Sequence, residues 1–557
     1  MRFKDDENMK VAIIVLIVFI VSAFAFMFLH FKYGEKFILK PMNPTKKPEV
    51  PPEIFLPQKL PWLMRKSTSK SDMFYSSFLP KRPEVIFSSN VSTNVDGMLT
   101  NAIVDTDRIF LADSQGIYAL DRINGELVWG VEVYSDSLEG RVTSSLQPVT
   151  KWKALGLWRF IKAYGVGNFL YVATSSSLDL DDAFLLALSK ESGSVEWMVK
   201  LESEGNTSSR SSITSNLVVA DGKIYIGSVR DEGYVFCVGE NGVLLWRSKV
   251  WGNVRGLAYG DGILFVTTEP SNKLYALDPK TGEILWSFEH NAMLTSPSYH
   301  NGKVILTDSY GDLLAISNEG KMLWRKSLGI GADVNNDPYF ALDAKNIYVV
   351  RSIGEKPLDL LIVDFDGNVI GNFTLESGEY GGKPIASQDV IILPVKSSMG
   401  GKIYLLWRGW AKINEFSFQN DDWIPMASAA YGEIYVVTSP GKFFKLADKR
   451  KPVINSVSTN LFNDSLIINI TAYDSESALY KVLLVYSVND STWNYVDMEI
   501  SRKYVVEPIG GYGLDKEIYT ARIPLQPDIT LEFYVVAIDN SGNYEISTVY
   551  AYQISKG

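Results

Sequence analysis

One unit recurs along this chain: a strand, a tight turn, then a short strand ending in tryptophan. It reads Ile117-Tyr118-Ala119-Leu120-Asp121, a turn carrying Gly125, then Leu127-Val128-Trp129. It returns as Leu274-Tyr275-Ala276-Leu277-Asp278, Pro279-Lys280-Thr281-Gly282-Glu283 and Ile284-Leu285-Trp286. Weaker copies end at Trp197, Trp246 and Trp324. Pro279 presets φ at the first turn corner, and Gly282 supplies the φ > 0 position that ends a hairpin. Alternation over residues 274–277 sends successive side chains to opposite faces of a sheet. An indole at a fixed strand position can then fill the wedge between neighbouring sheets.

These tryptophans stand 68, 49, 40 and 38 residues apart. A unit of about 40 residues holding several short strands fits the blade of a β-propeller. Eight strands precede or begin such units, from Arg108–Ala112 to Glu433–Thr438. The last unit has residues 442–446 but no following strand before Lys451-Pro452. Glu84-Val85-Ile86-Phe87, ahead of the first unit, can supply it. That closure leaves no free inner edge and ties the two ends of the ring together. The expectation is an all-β chain with an eight-bladed propeller over residues 84–450; seven blades is the alternative.

The motif resembles the PQQ-like repeat, named for quinoprotein alcohol dehydrogenases. The resemblance covers roughly 84–450 and is strongest at Trp129, Trp246, Trp286 and Trp324, fair at Trp197, and degenerate afterwards. It implies two different functions. The dehydrogenases hold calcium or a lanthanide with Glu, Asn and Asp, use a catalytic aspartate, and often set adjacent cysteines against the cofactor. This chain has one cysteine, Cys237, so that pair is absent and no intramolecular disulfide can form. The repeat also occurs in assembly-machine lipoproteins that bind partners with a propeller. The tryptophan pattern reports the fold and says nothing about a cofactor.

Residues 11–31 carry no Asp, Glu, Lys or Arg, and their 21 residues are long enough to cross a bilayer core as a helix. Residues 1–10 are then a cytoplasmic tail. The rival reading is a cleaved signal peptide with Ala23-Phe24-Ala25 as its small-residue site. The apolar run continues past it through Phe31, which favours an uncleaved single-pass anchor. Residues 32–83 hold seven prolines between Pro41 and Pro61 and read as an extended stalk. Six Asn-x-Ser/Thr sequons, at Asn90, Asn206, Asn372, Asn463, Asn469 and Asn489, all follow the span, as expected of an extracytoplasmic region open to N-glycosylation. The net charge of −10 argues against nucleic-acid binding.

After Lys451-Pro452 the tryptophan unit stops and short strands recur closely, which reads as a β-sandwich over 451–557. The stretch from Tyr534 to Asn543 resembles the penultimate strand and turn of immunoglobulin-like or fibronectin type III-like modules. Asp539, Asn540 and Asn543 have calcium-ligand chemistry, but fit turn formation better. Asp333-x-Asn335-x-Asp337 opens like a calcium loop, but has Pro338 where glycine belongs and Ala344 where glutamate belongs. Asp179, Asp181 and Asp182 read as a solvated turn. His30, His290 and His300 lack metal-ligand spacing.

The most unusual segment is the insertion behind the 68-residue gap. On a helical wheel over 151–162, Leu157, Phe160 and Ile161 oppose Lys151, Arg159 and Lys162. This predicts an amphipathic helix with Trp152, Trp158, Arg159, Phe160 and Lys162 as candidate partner or membrane contacts; packing on the propeller rim is the competing reading. No catalytic, cofactor-binding or metal residue is assignable. The expectation is a non-catalytic binding or scaffold protein of a prokaryotic cell envelope, without cofactor, anchored in the cell membrane and recognising protein partners through its propeller. The alternatives are a quinoprotein-type oxidoreductase and a surface-layer or adhesion protein.

Overall fold

The computed structural model describes residues 37–45, 78–91, 102–112, 116–133, 139–144, 148–153, 162–166, 168–175, 183–201, 212–213, 215–229, 233–330, 339–351, 359–419, 424–438, 441–462, 464–506 and 514–556. Among them every element is a strand, and no helix is long and apolar enough to cross a membrane. The expected span 11–31 lies outside the described residues. The chain forms two compact units, one from residues 78–450 and the other from 37–45 with the bulk of 451–556.

The first unit is a run of small antiparallel sheets, eight among the described residues. They span 103–153, 162–200, 212–250, 253–289, 298–327, 340–374, 380–419 and finally 426–447 with 84–90. In the fourth, Asn253–Gly260, Ile263–Glu269, Lys273–Leu277 and Ile284–Glu289 lie in chain order from the inner to the outer edge. Middle strands are buried on both faces: every residue of Gly233–Gly239 and Asp312–Ser317 is buried. Outer strands alternate, with exposed residues between half-buried ones in Ile284–Glu289 and Met322–Ser327. Sheets that stack face to face hide their centres and wet only their rims. Inner strands of successive sheets touch, as Asn253–Gly260 does Ser298–His300 and Ile385–Ala386 does Met426–Ala430. This is a β-propeller.

The tryptophans make the sheet-to-sheet joints. Each stands opposite a small residue, Trp129 to Ala119, Trp197 to Ala187, Trp246 to Cys237, Trp286 to Ala276 and Trp324 to Ala315, and a β-bulge follows each pair. The bulge aims the indole at the turn of the next sheet. There Trp129 Nε1 donates to Lys190 O (3.0 Å), Trp197 to Glu240 O (2.9 Å), Trp286 to Asn318 O (2.6 Å) and Trp324 to Phe365 O (3.0 Å). Each ring lies on a turn glycine. At Gly282, with φ of +79°, a Cβ would meet Trp246 at 2.6 Å, so the turn needs glycine both for its backbone and for the indole.

The repeat degenerates for structural reasons. In the sixth sheet Gly371 takes the tryptophan register opposite Ile362, and Trp410 from the next sheet's turn fills the slot, 2.0 Å from where a Gly371 Cβ would stand. The eighth sheet takes its fourth strand, Glu84–Asn90, from the start of the unit. Phe87 there holds the tryptophan register, opposite Lys445 beside a bulge, and its ring rests on Gly125 of the first sheet. The seventh sheet carries Asn414 at that register, because the closing sheet has no third-to-fourth turn to receive an indole.

Two expectations are corrected. The stalk does not hold over 32–83: Phe37–Met42 is a strand paired to Tyr550–Lys556 in the second unit, and Leu79 is fully buried in the propeller core. An edge strand tolerates Pro41, whose missing N–H would otherwise break a ladder. The predicted helix fails at both described ends, since Pro148–Lys153 and Lys162–Val166 are strands; residues 154–161 lie outside the described residues. Val453–Phe462, an edge strand rich in Ser and Asn, was not expected.

The second unit has two antiparallel sheets. One runs Phe37–Met42, Tyr550–Lys556, Ile529–Asp539, Leu479–Val488 and Asn494–Asp497; the other Val453–Phe462, Ser465–Tyr473, Leu514–Pro524 and Glu499–Val506. Leu466, Ile468 and Ile470 of one sheet share a buried cluster with Leu531, Phe533 and Val535 of the other.

Asp389 is a buried liability of the propeller. Its Oδ1 has no hydrogen-bond partner among the described residues, and burial pushes its carboxyl up to about 6, although Lys81 and the Leu79 amide pull it down. The unfolded chain ionises near 3.8, so the folded state binds more protons between these values and stability falls as pH rises through that window. Asp389→Asn is expected to flatten this dependence and to stabilise the protein at pH 8 by up to about 3 kcal/mol. Urea titrations at pH 4.5 and 8 check it; an unchanged pH slope contradicts it.

Candidate interaction face

In-order antiparallel strands send their connections alternately to the two ends of the propeller. One end carries the first-to-second and third-to-fourth turns. These are tight two-residue hairpins such as Asp221-Gly222, Asp261-Gly262 and Asn301-Gly302, all with positive φ, and the turns that receive the indoles. Their geometry is spent on holding sheets together. The other end carries the second-to-third hairpins and the crossings between sheets; Trp251, Met293, Tyr310 and Met399 are exposed there, while Ile123 and Trp410 are exposed on turns of the first end.

Trp251, in the crossing from the third to the fourth sheet, is 72% exposed. Its backbone is held: its N–H donates to Tyr275 Oη (3.3 Å) and its carbonyl accepts from Ser271 Oγ (2.5 Å). Tyr310, 64% exposed, tips the hairpin between Lys303–Thr307 and Asp312–Ser317. Asp308 organises that tip. Its Oδ1 accepts from the N–H groups of Tyr310 (2.9 Å) and Asp312 (3.0 Å). Its Oδ2 meets His290 Nε2 (2.9 Å) and Arg325 (3.2 Å), with the Asp308 side chain wholly buried. Burial works to raise the Asp312 carboxyl, but hydrogen bonds from Ser327 and Arg325 hold it below its ordinary value. Ser309 N–H donates to Met293 O (2.8 Å), so exposed Met293 rides on the same frame. Met399, 79% exposed, tips the corresponding hairpin of the seventh sheet. Large apolar side chains on fixed backbones lose little entropy on binding, which is what an interface anchor requires.

Other sequence-predicted residues fall as follows. Trp129 is buried to 1% exposure and Trp197, Trp246, Trp286 and Trp324 are partly buried, all at sheet joints. Trp152 and Lys162 lie in strands; Trp158, Arg159 and Phe160 are outside the described residues, as are the acidic groups at 179–182 and 333–337 and the sequons at Asn206 and Asn463. Asn90, Asn372 and Asn489 are exposed, whereas Asn469 is half-buried and accepts from Thr520 Oγ1 (2.7 Å). His290 binds Asp308 and His300 stacks on Phe365 at 4.0 Å. Cys237 is buried, and burial pushes its thiol up to about 12. Asn543 donates to the Asp539 carboxylate from both backbone and side chain (2.8 Å each), the turn-forming role expected of it. Sequence reasoning missed Trp251 and Tyr310. Their one signal is position: each is an aromatic outside the tryptophan register and beside a glycine.

No curated protein matches the chain. Three solved structures are similar. BamB of Moraxella catarrhalis is 13% identical, with 66% of this chain and 100% of that chain covered at a TM-score of 0.43. The computationally designed Ika8 protein is 12% identical, covering 64% and 98% at 0.45. Sqt1 of Saccharomyces cerevisiae is 14% identical, covering 58% and 93% at 0.42. A family profile described as outer membrane protein assembly factor BamB matches residues 90–238 and 231–404. With that match spanning more than half of its length, the chain belongs to this PQQ-like repeat family.

Proposed function

We propose that this chain is a non-catalytic scaffold of a prokaryotic cell envelope. In this reading residues 11–31 anchor it in the cell membrane with the bulk outside the cytoplasm. The eight sheets are eight blades of one ring closed by Glu84–Asn90, and the second unit is an immunoglobulin-like β-sandwich. Family membership supports a protein-binding role akin to an assembly factor. The partner engages the end of the propeller that bears Trp251, Met293 and Tyr310. The insertion with Trp152, Trp158, Arg159, Phe160 and Lys162 is a second candidate contact, because Pro148–Lys153 ends and Lys162–Val166 begins at that end. Among the described sequons, those at Asn90, Asn372 and Asn489 are exposed and open to glycosylation.

One observation carries the reading: Trp251 is 72% exposed on a backbone fixed from both sides. A monomer gains nothing by holding an indole in water, whereas an interface gains a hot spot. The paired substitution Trp251→Ala/Tyr310→Ala is expected to weaken partner binding by at least about 30-fold, since two anchors are worth roughly 2 kcal/mol or more together. Quantitative mass spectrometry of proteins recovered with parent and variant from solubilised native membranes checks this, with thermal melts as control. A partner set unchanged by the double substitution rejects the face. Dye reduction after addition of the quinone and calcium tests catalysis; turnover would make the oxidoreductase reading the better one.

A further inference from the structure

The strand Phe37–Met42 ties the second unit to the apolar N-terminal segment. It pairs in unbroken antiparallel register with Tyr550–Lys556, from Phe37↔Lys556 to Met42↔Ala551. Phe37 and Leu39 pack on the unit's buried cluster, so the strand is part of the fold. Thr45 continues the attachment, its N–H donating to Glu532 Oε1 (2.5 Å) and its Oγ1 to the same oxygen (3.0 Å). Only residues 32–36 separate this strand from the end of the apolar segment at Phe31. Fully extended, five residues reach no more than about 17–18 Å.

The register also fixes which end of the unit that tether leaves from. Leu39 pairs with Ile554, and Ile554 with Ile529. The loop before Ile529 meets the hairpin between Val453–Phe462 and Ser465–Tyr473, where Leu525 N–H donates to Asp464 O (2.9 Å). That hairpin therefore lies at the same end as Phe37. It carries Phe462, 61% exposed, and Leu461, 38% exposed. Asp464, Asp490 and Asp528 are exposed nearby and work against attraction to anionic lipid. A short covalent tether needs no such attraction, because it sets a high effective concentration of the hairpin at the surface.

We propose that the Leu461–Phe462 hairpin end of the second unit rests on the bilayer. This rests on residues 11–31 being an uncleaved anchor. The test uses the full chain in phosphatidylcholine vesicles, with a nitroxide on Phe462→Cys, on Lys40→Cys, or on Ser475→Cys. Ser475 is exposed in the turn between Ser465–Tyr473 and Leu479–Val488, away from the tether end. Cys237 is buried and stays unlabelled. The ratio of collision with oxygen to collision with a water-soluble nickel chelate is expected to be severalfold higher at 462 than at 475, with 40 intermediate. Equal ratios at 462 and 475 on a chain that pellets with vesicles and resists alkaline extraction overturn the proposal while leaving the anchor intact. A chain that alkali extracts, or that lacks residues 1–25 by mass, overturns the anchor and the proposal with it.

Discussion

Trp129→Ala is expected to lower the stability of the propeller by about 3–5 kcal/mol, the cost of emptying a large buried aromatic site. Trp129 is 1% exposed, packs at a tilt against Phe110 with ring centroids 5.9 Å apart, and donates to Lys190 O at 3.0 Å. Its loss opens a cavity and strands a carbonyl in the next sheet, so two adjacent sheets separate together. Trp286→Ala should act in the same direction through Asn318, by less because its indole is only partly buried. Trp410→Ala should cost least, since Trp410 is 49% exposed and fills the Gly371 slot from the opposite side. Urea denaturation followed by tryptophan fluorescence ranks the three. A Trp129 variant no weaker than the Trp410 variant would falsify the wedge account.

Glu433→Gln is expected to destabilise the ring closure by about 3–5 kcal/mol, because it leaves two buried cations without their counter-charge. Glu433 lies between Arg122 (2.8 Å) and Lys445 (3.0 Å), with side-chain exposures of 9%, 14% and 7% respectively. Lys445 also donates to Arg122 O (2.9 Å), and Ser89 Oγ to Gly125 O (2.9 Å), so the first sheet's turn is fastened to the eighth sheet. Burial holds the Lys445 ammonium below its ordinary value, with Glu433 opposing that shift. Removing Glu433 lowers it further. Between the lowered folded value and the ordinary 10.5 the unfolded chain binds more protons, so the variant gains stability as pH rises. The deficit against the parent should therefore shrink between pH 7 and pH 9.5 in paired urea titrations. A deficit independent of pH would show that the lost stability is not the unpaired charge.

The joints of the propeller were legible because their chemistry is local. Asp278 Oδ1 accepts from Lys280 N–H (2.6 Å) and Thr281 N–H (3.2 Å), so the turn is written in adjacent residues, and the strands beside it alternate at a period of two. The closing strand was legible for the same reason: Phe87 sits in a short β-rich run at a place where a fourth strand was missing. What escaped the sequence depends on partners far along the chain. Phe37–Met42 is a strand only because Tyr550–Lys556 offers an edge, and its own Pro41 points the other way. Residues 151–153 fit a helical wheel, yet Glu139–Ser144 pairs them into a ladder. The Arg122–Glu433–Lys445 cluster joins side chains 311 residues apart, which no local pattern encodes. The exposure of Trp251 and Tyr310 was equally silent, since composition does not distinguish an indole that wedges two sheets from one that meets solvent. The sequence by itself determined the repeated unit and its joints, because short-range turn and pairing chemistry is self-contained. Tertiary structure alone decided the closure charges, the N-terminal strand and the exposure of Trp251 and Tyr310, because those follow from long-range pairing and from which ends of the strands are already occupied.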